Sequence, residues 1–156
     1  MTSLEDDREI RNVLYRYCRG VDRVDLDLVR SCYWPDAVDD HGAFRGGIDE
    51  FLAWIGRLLP RNDVTTHQLT NILIEPGDDE DTANVETYGM ADHQTLGGPD
   101  AHNSTIAFRY LDRFERRDGE WRIADRFCTT EWVRIHAQET IFRPDERFHR
   151  DRPRND

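Results

Sequence analysis

A histidine and an aspartate in this sequence have the right types for proton transfer and stand where an apolar site would need them. His67 lies in Val64-Thr65-Thr66-His67-Gln68-Leu69-Thr70-Asn71, a β-branched stretch that reads as a strand. Alternation puts it on one face with Leu69, Asn71 and Leu73, which suits a pocket wall offering Leu69 and Asn71 to a ligand. A lone histidine in such a place is more often a satisfied core residue. Asp22 falls just past the apolar stripe of an N-terminal helix, placed either to cap the next helix or to meet a partner. An imidazole with an ordinary pKa of about 6.5 is half-poised as a base at neutral pH. A carboxylate on one of its ring nitrogens would fix the tautomer. Tyr17 lies on the buried side of the same helix, where a tyrosine is ordinarily core with its hydroxyl satisfied. His102 shares strand parity with Ile106 and Phe108 and can line the same face as His67, although its place near a turn also fits a solvent edge. Arg126 shares a face with Arg122 and Ala124, away from Trp121 and Ile123 unless a bulge intervenes; otherwise it is a surface arginine paired with an acid.

Much chemistry is excluded by composition. All 21 basic residues are arginines, so there is no lysine for a Schiff base, a phosphate loop or a general base. His41, His93, His102, His136 and His149 show no metal-ligand spacing, and we expect no metal and no cofactor. Nucleophile-elbow and glycine-rich phosphate motifs are absent. A net charge of −11 repels polyphosphates, so no nucleic-acid partner is expected. The three cysteines, Cys18, Cys32 and Cys128, form no CxxC and read as reduced, buried thiols. The acidic N-terminus has no apolar signal region and no apolar run is long enough to span a membrane, so a cytoplasmic location is expected.

The elements that must position these residues come in two blocks. Ile10, Val13, Leu14, Tyr17, Cys18 and Val21 mark an amphipathic first helix, with Thr2 and Glu5 placed as a capping box. Gly20 weakens its end. A short second helix runs from its N-cap Asp25 to Tyr33, stopped by Pro35, and a short strand and turn occupy Ala37 to Phe44. Ile48, Phe51, Leu52, Ile55 and Leu59 line a third helix. The period then changes: strands are expected over Val64–Ile74, Thr82–His93, His102–Phe114 and Trp121–Thr130, with short turns that favour an antiparallel meander. Helices first and strands afterwards give an α+β fold. One domain is expected over residues 1–142, followed by a polar tail over 143–156.

Three stretches at this order and spacing resemble the SnoaL-like branch of the NTF2-like superfamily: Tyr17 to Asp22 ending in Gly-Val-Asp, His67 followed by Thr70-Asn71, and Phe114 to Ile123. The resemblance covers roughly Glu5 to Trp132. It implies a cone in which three N-terminal helices are wrapped by a curved, mostly antiparallel sheet. The Asp22 and His67 positions are similar to the dyad of hexachlorocyclohexane dehydrochlorinase, scytalone dehydratase and bile-acid 7α-dehydratase, which implies His67 as general base and Asp22 as the group holding its ring. Arg126 matches an arginine on the last strand of the dehydrochlorinase. Where that enzyme carries a lysine this chain has Tyr17, an arrangement similar to the bile-acid dehydratase, in which a phenol assists a carbonyl or a leaving hydroxyl. The implied activity is a cofactor-independent elimination on a hydrophobic ring compound such as a steroid, terpenoid or aromatic polyketide. An isomerase or cyclase using the same dyad, or a non-catalytic binding module, stands beside it. A homo-oligomer is also implied, a trimer before a dimer, with Tyr110, Trp121 and Trp132 as apolar contact material. The segment from Trp132 to Phe142 is expected to pack on the body near the cone mouth.

Overall fold

The computed structural model describes residues 3–95 and 103–136. Helix α1 (Leu4–Arg23) begins at Ser3, whose side chain and that of Asp6 form a reciprocal capping box, one residue later than Thr2 and Glu5 would place it. The expected apolar stripe is its buried face. Gly20 does not end the helix: a Cβ there would come within 2.7 Å of Val29, so its bareness lets α2 (Leu26–Arg30) pack closely. Val24, with φ of 56°, ends α1 in the left-handed region. Asp25 caps α2, accepting the Leu28 N–H at 3.0 Å, which removes capping of α2 as the reason for Asp22.

Strand β1 (Tyr33–Asp40) starts before Pro35, so α2 is shorter than expected and Tyr33 belongs to the sheet. After β2 (Arg45–Gly47) comes α3 (Ile48–Leu58), closed by one short turn of 3₁₀-helix over Leu59–Arg61. The four long strands are β3 (Val64–Pro76), β4 (Thr82–Gln94), β5 (Asn103–Arg117) and β6 (Glu120–His136). The tight β5–β6 hairpin is set by Asp118 and Gly119, both at positive φ, as such two-residue turns require. One six-stranded sheet results, in the order β2-β1-β6-β5-β4-β3. Every pairing is antiparallel except β1 with β6. This is the expected α+β cone: a curved, unclosed sheet holding the helices against its inner face, with Leu14, Phe51, Phe114 and Ile123 in the shared core.

Two register shifts overturn simple alternation. In β3 the register slips between Leu69 and Ile72, so Ile72 and Ile74 turn inward while Asn71 and Leu73 are exposed. Asn71 therefore does not share the inner face with His67 and Leu69, contrary to strict parity. In β6 a shift at Ala124 brings Arg126 to the same inner side as Trp121 and Ile123. Tyr110 and Trp121 are also inner residues, 2% and 3% exposed, and offer nothing to an outer contact. The exposed apolar groups of the sheet instead include Tyr88, Met90, Leu111, Phe127 and Trp132. Trp132 to His136 continue β6 against β5, whereas the rest of the expected covering segment, the tail over 143–156 and His102 lie outside the described residues.

Candidate active site

Strand β3 is an edge of the sheet, and its outward backbone groups need partners that no strand supplies. Helix α1 supplies them. Arg11 donates to the Ile72 carbonyl at 3.3 Å, and one oxygen of Asp22 accepts the His67 backbone N–H at 3.0 Å. The other Asp22 oxygen lies 2.7 Å from Nδ1 of the His67 ring. One carboxylate thus ties helix to strand and holds the imidazole. An ionised carboxylate can only accept, so Nδ1 carries a proton, and in the neutral ring the lone pair is on Nε2. Both side chains are mostly buried, at 9% and 14% exposure. Leu69, two residues on, is partly buried against the core.

From His67 an aromatic wall runs along the inner face of β5. Phe108 lies 6.1 Å from the His67 ring and 4.6 Å from Tyr110. Phe108 can lie flat because the facing residue is Gly89, where a Cβ would come within 2.3 Å of the ring. Tyr17 meets Tyr110 edge-on at 5.8 Å and Tyr33 at 5.9 Å. Burial holds the Tyr17 phenol well above the ordinary range, against the pull of Arg126, and Tyr33 and Tyr110 are raised for the same first reason. These phenols stay protonated and can act only as donors or neutral acceptors. The Cys18 and Cys128 thiols are pushed up to about 12, chiefly by burial, which leaves no thiolate nucleophile at neutral pH.

Beneath the wall lies a polar network. Arg126 is fully buried and forks onto Asp112 through Nε at 2.7 Å and a terminal nitrogen at 2.6 Å. Its guanidinium carbon sits 3.8 Å from the Tyr110 ring centroid and 4.3 Å from that of Tyr17. Burial drives the Asp112 carboxyl upward against Arg126, while Asp112 more than offsets the burial that would lower the Arg126 guanidinium. The fork geometry is that of an ion pair. Arg126 is therefore committed to Asp112, with its remaining nitrogen 3.4 Å from the Tyr33 hydroxyl, and does not stand free to meet charge on a ligand. Tyr33 donates onward to Asp39 at 2.8 Å, and Asp39 also holds Nδ1 of His41.

Asp112, Tyr33 and the Asp39–His41 pair were not singled out from the sequence. Their signal was available: Asp112 alternates with Phe108, Tyr110 and Phe114, and Asp39 with Ala37, on faces that should be apolar. Among the described residues no group of His, Cys, Asp and Glu could hold a metal ion, and no helix is long and apolar enough to cross a membrane. An open groove of about 610 Å³ lies outside, between α1 and the β5–β6 turn, lined by Glu9, Tyr15, Arg16 and Trp121, and shares no residue with the dyad.

Comparison with known proteins agrees with this architecture. A proposed scytalone dehydratase of Novosphingobium aromaticivorans is 20% identical, with a TM-score of 0.76 over 87% of this chain and 91% of that one. The type 3 hexachlorocyclohexane dehydrochlorinase LinA of Novosphingobium barchaimii is 22% identical, with a TM-score of 0.80 over 90% and 97%. Rv3472 of Mycobacterium tuberculosis, of unknown function, is 21% identical, with a TM-score of 0.71 over 83% and 78%. At these identities the likeness is one of fold. No curated protein sequence matches. The model of the SnoaL-like domain matches residues 2–127, and the chain belongs to the SnoaL-like domain family.

Proposed function

We propose that this protein is a cofactor-independent lyase that eliminates water, or a comparable leaving group, from a hydrophobic ring compound of the steroid, terpenoid or aromatic polyketide kind. The observation that carries the reading is the bidentate use of Asp22, which orients the His67 ring and leaves Nε2 as a base beside an aromatic wall. Nε2 removes a proton from carbon, Asp22 stabilises the imidazolium formed, and the C–O bond breaks. Tyr17, kept protonated by burial, donates toward the substrate's carbonyl oxygen, which gains charge as the C–H proton leaves. Arg126 is a positioning residue that holds the tyrosines. Leu69 supplies apolar contact. Nothing in this scheme calls for a metal or a redox cofactor, and a cytoplasmic setting suits it.

The test is turnover of a panel of hydroxylated ring ketones in deuterated water, followed by mass spectrometry. Elimination gives dehydrated product without deuterium at carbons that keep their hydrogens. An isomerase would return solvent deuterium to carbon with no loss of water. Binding without either product would sink the lyase reading in favour of a carrier.

We further propose that the chain self-associates through the outer sheet face, where Tyr88, Met90, Leu111 and Phe127 are exposed, with a trimer favoured over a dimer. Light scattering at micromolar concentration should give about three times the 18.4 kDa chain mass; a monomer would refute the proposal.

A further inference from the structure

Asp22–His67 is not the only carboxylate–imidazole pair on the inner side of the sheet. Asp39, on β1, is 0% exposed and accepts from the Tyr33 hydroxyl and from Nδ1 of His41. The His41 ring stacks on Phe51 at 5.1 Å and lies 6.0 Å from Tyr110, the residue that touches Phe108, which in turn touches His67. The two histidines therefore flank one stretch of β5 wall, Phe108 and Tyr110, from opposite ends. His41 keeps 16% of its side chain exposed although its carboxylate partner is sealed. Nδ1 is taken by Asp39, and no hydrogen bond to Nε2 occurs among the described residues, so Nε2 is the nitrogen left to meet a ligand.

The surroundings of the two pairs differ. Asp22 is partly exposed and is also satisfied by the His67 backbone N–H. Asp39 is buried close to Asp112, and the one guanidinium of the cluster is forked onto Asp112. The group set directly against the second carboxylate is therefore the His41 ring, not a guanidinium.

We propose that His41, held by Asp39, is the general acid of the site, working opposite the base His67. This rests on the lyase reading. Nε2 of His67 takes the proton from carbon, the C–H electron pair becomes the new double bond, and the C–O pair leaves with oxygen. The oxygen takes the Nε2 proton of His41 and departs as water. Exchange with solvent then returns one proton to His41 and removes one from His67, so the cycle balances without a further reagent. The substrate this arrangement calls for is a ring compound reaching between the two histidines, with the leaving oxygen at the His41 end and the acidic C–H at the His67 end.

The experiment uses two probes on the full-length chain: benzisoxazole and its 5-nitro derivative. A base opens both by removing a ring C–H proton as the N–O bond breaks to give a phenolate. The nitro phenolate leaves without help, whereas the unsubstituted one benefits from an acid. His67→Ala should abolish catalysis on both. His41→Gln should leave the nitro compound within about twofold of wild type and slow the unsubstituted one roughly a hundredfold, the ordinary scale of acid assistance. Retained activity on the nitro probe also reports that the variant folds. Equal slowing on both probes, or no slowing on either, overturns the assignment of His41 while leaving the base in place. If the wild type accelerates neither probe, the base reading falls and the inference falls with it.

Discussion

Asp22→Asn should reduce turnover by on the order of 10⁴-fold while the protein stays folded. The reason lies in the two hydrogen bonds that Asp22 accepts, one from the His67 backbone N–H at 3.0 Å and one from its ring Nδ1 at 2.7 Å. An asparagine has a single oxygen. If that oxygen keeps the backbone N–H, its NH₂ faces Nδ1 and forces that nitrogen to accept. The ring proton then moves to Nε2, and the base is lost with the geometry intact. If the amide flips, the ring stays correct but the edge of β3 loses its acceptor and the imidazolium loses its countercharge. Either way ligand affinity should change little, because the variant removes no apolar surface. Stability should fall by no more than about 1 kcal/mol, the net worth of one hydrogen bond. Nitrogen-15 spectra of the His67 ring would report the tautomer directly, and His67→Ala fixes the baseline rate. Were Asp22 only a tether for the edge strand, asparagine would accept the same backbone N–H, and rate and stability would both stay near wild type.

The parts of the site that could be read from the sequence were those governed by local pattern. His67 lies in a strongly β-branched strand, and Asp22 lies in the last turn of a clear amphipathic helix, so local pattern alone marks both positions. What was hidden depended on sheet register. One slip between Leu69 and Ile72 sends Asn71 outward and brings Ile74 in, and nothing in Thr70-Asn71 announces it. A second slip at Ala124 turns Arg126 from an apparent surface arginine into the centre of the core. The opposite kind of miss concerns β1. Pro35 read as the stop of a helix because proline excludes helical geometry before it, yet a strand tolerates proline where no ladder hydrogen bond is needed, and β1 accommodates it near its start. With β1 begun too late, Tyr33 was placed in a helix and Asp39 and His41 in a short strand and turn. Their common orientation toward β5 only becomes visible once β1 pairs with β6 in parallel.

Arg126→Met alone should cost about 3–5 kcal/mol of stability. The substitution keeps most of the volume between Tyr110 and Tyr17 but strands the Asp112 carboxylate, which has no exposed surface through which to recover water. Asp112→Leu alone should cost a similar amount, because it strands a guanidinium; stacking on the two tyrosine faces recovers only part of that. The double replacement, Asp112→Leu with Arg126→Met, removes both charges together and should return most of the lost stability, as buried ion pairs replaced by apolar groups of similar size often do. Chemical denaturation of the four proteins closes the cycle, and a coupling energy near zero would show that the fork contributes nothing as a pair. The double variant also separates packing from positioning. In it Tyr33 keeps Asp39 but loses the guanidinium at 3.4 Å, and Tyr17 loses the cation that opposes its upward shift. If Arg126 serves to hold these phenols, the stable double variant should bind ligand and turn over slowly. If Arg126 only neutralises Asp112, the double variant should turn over as wild type does.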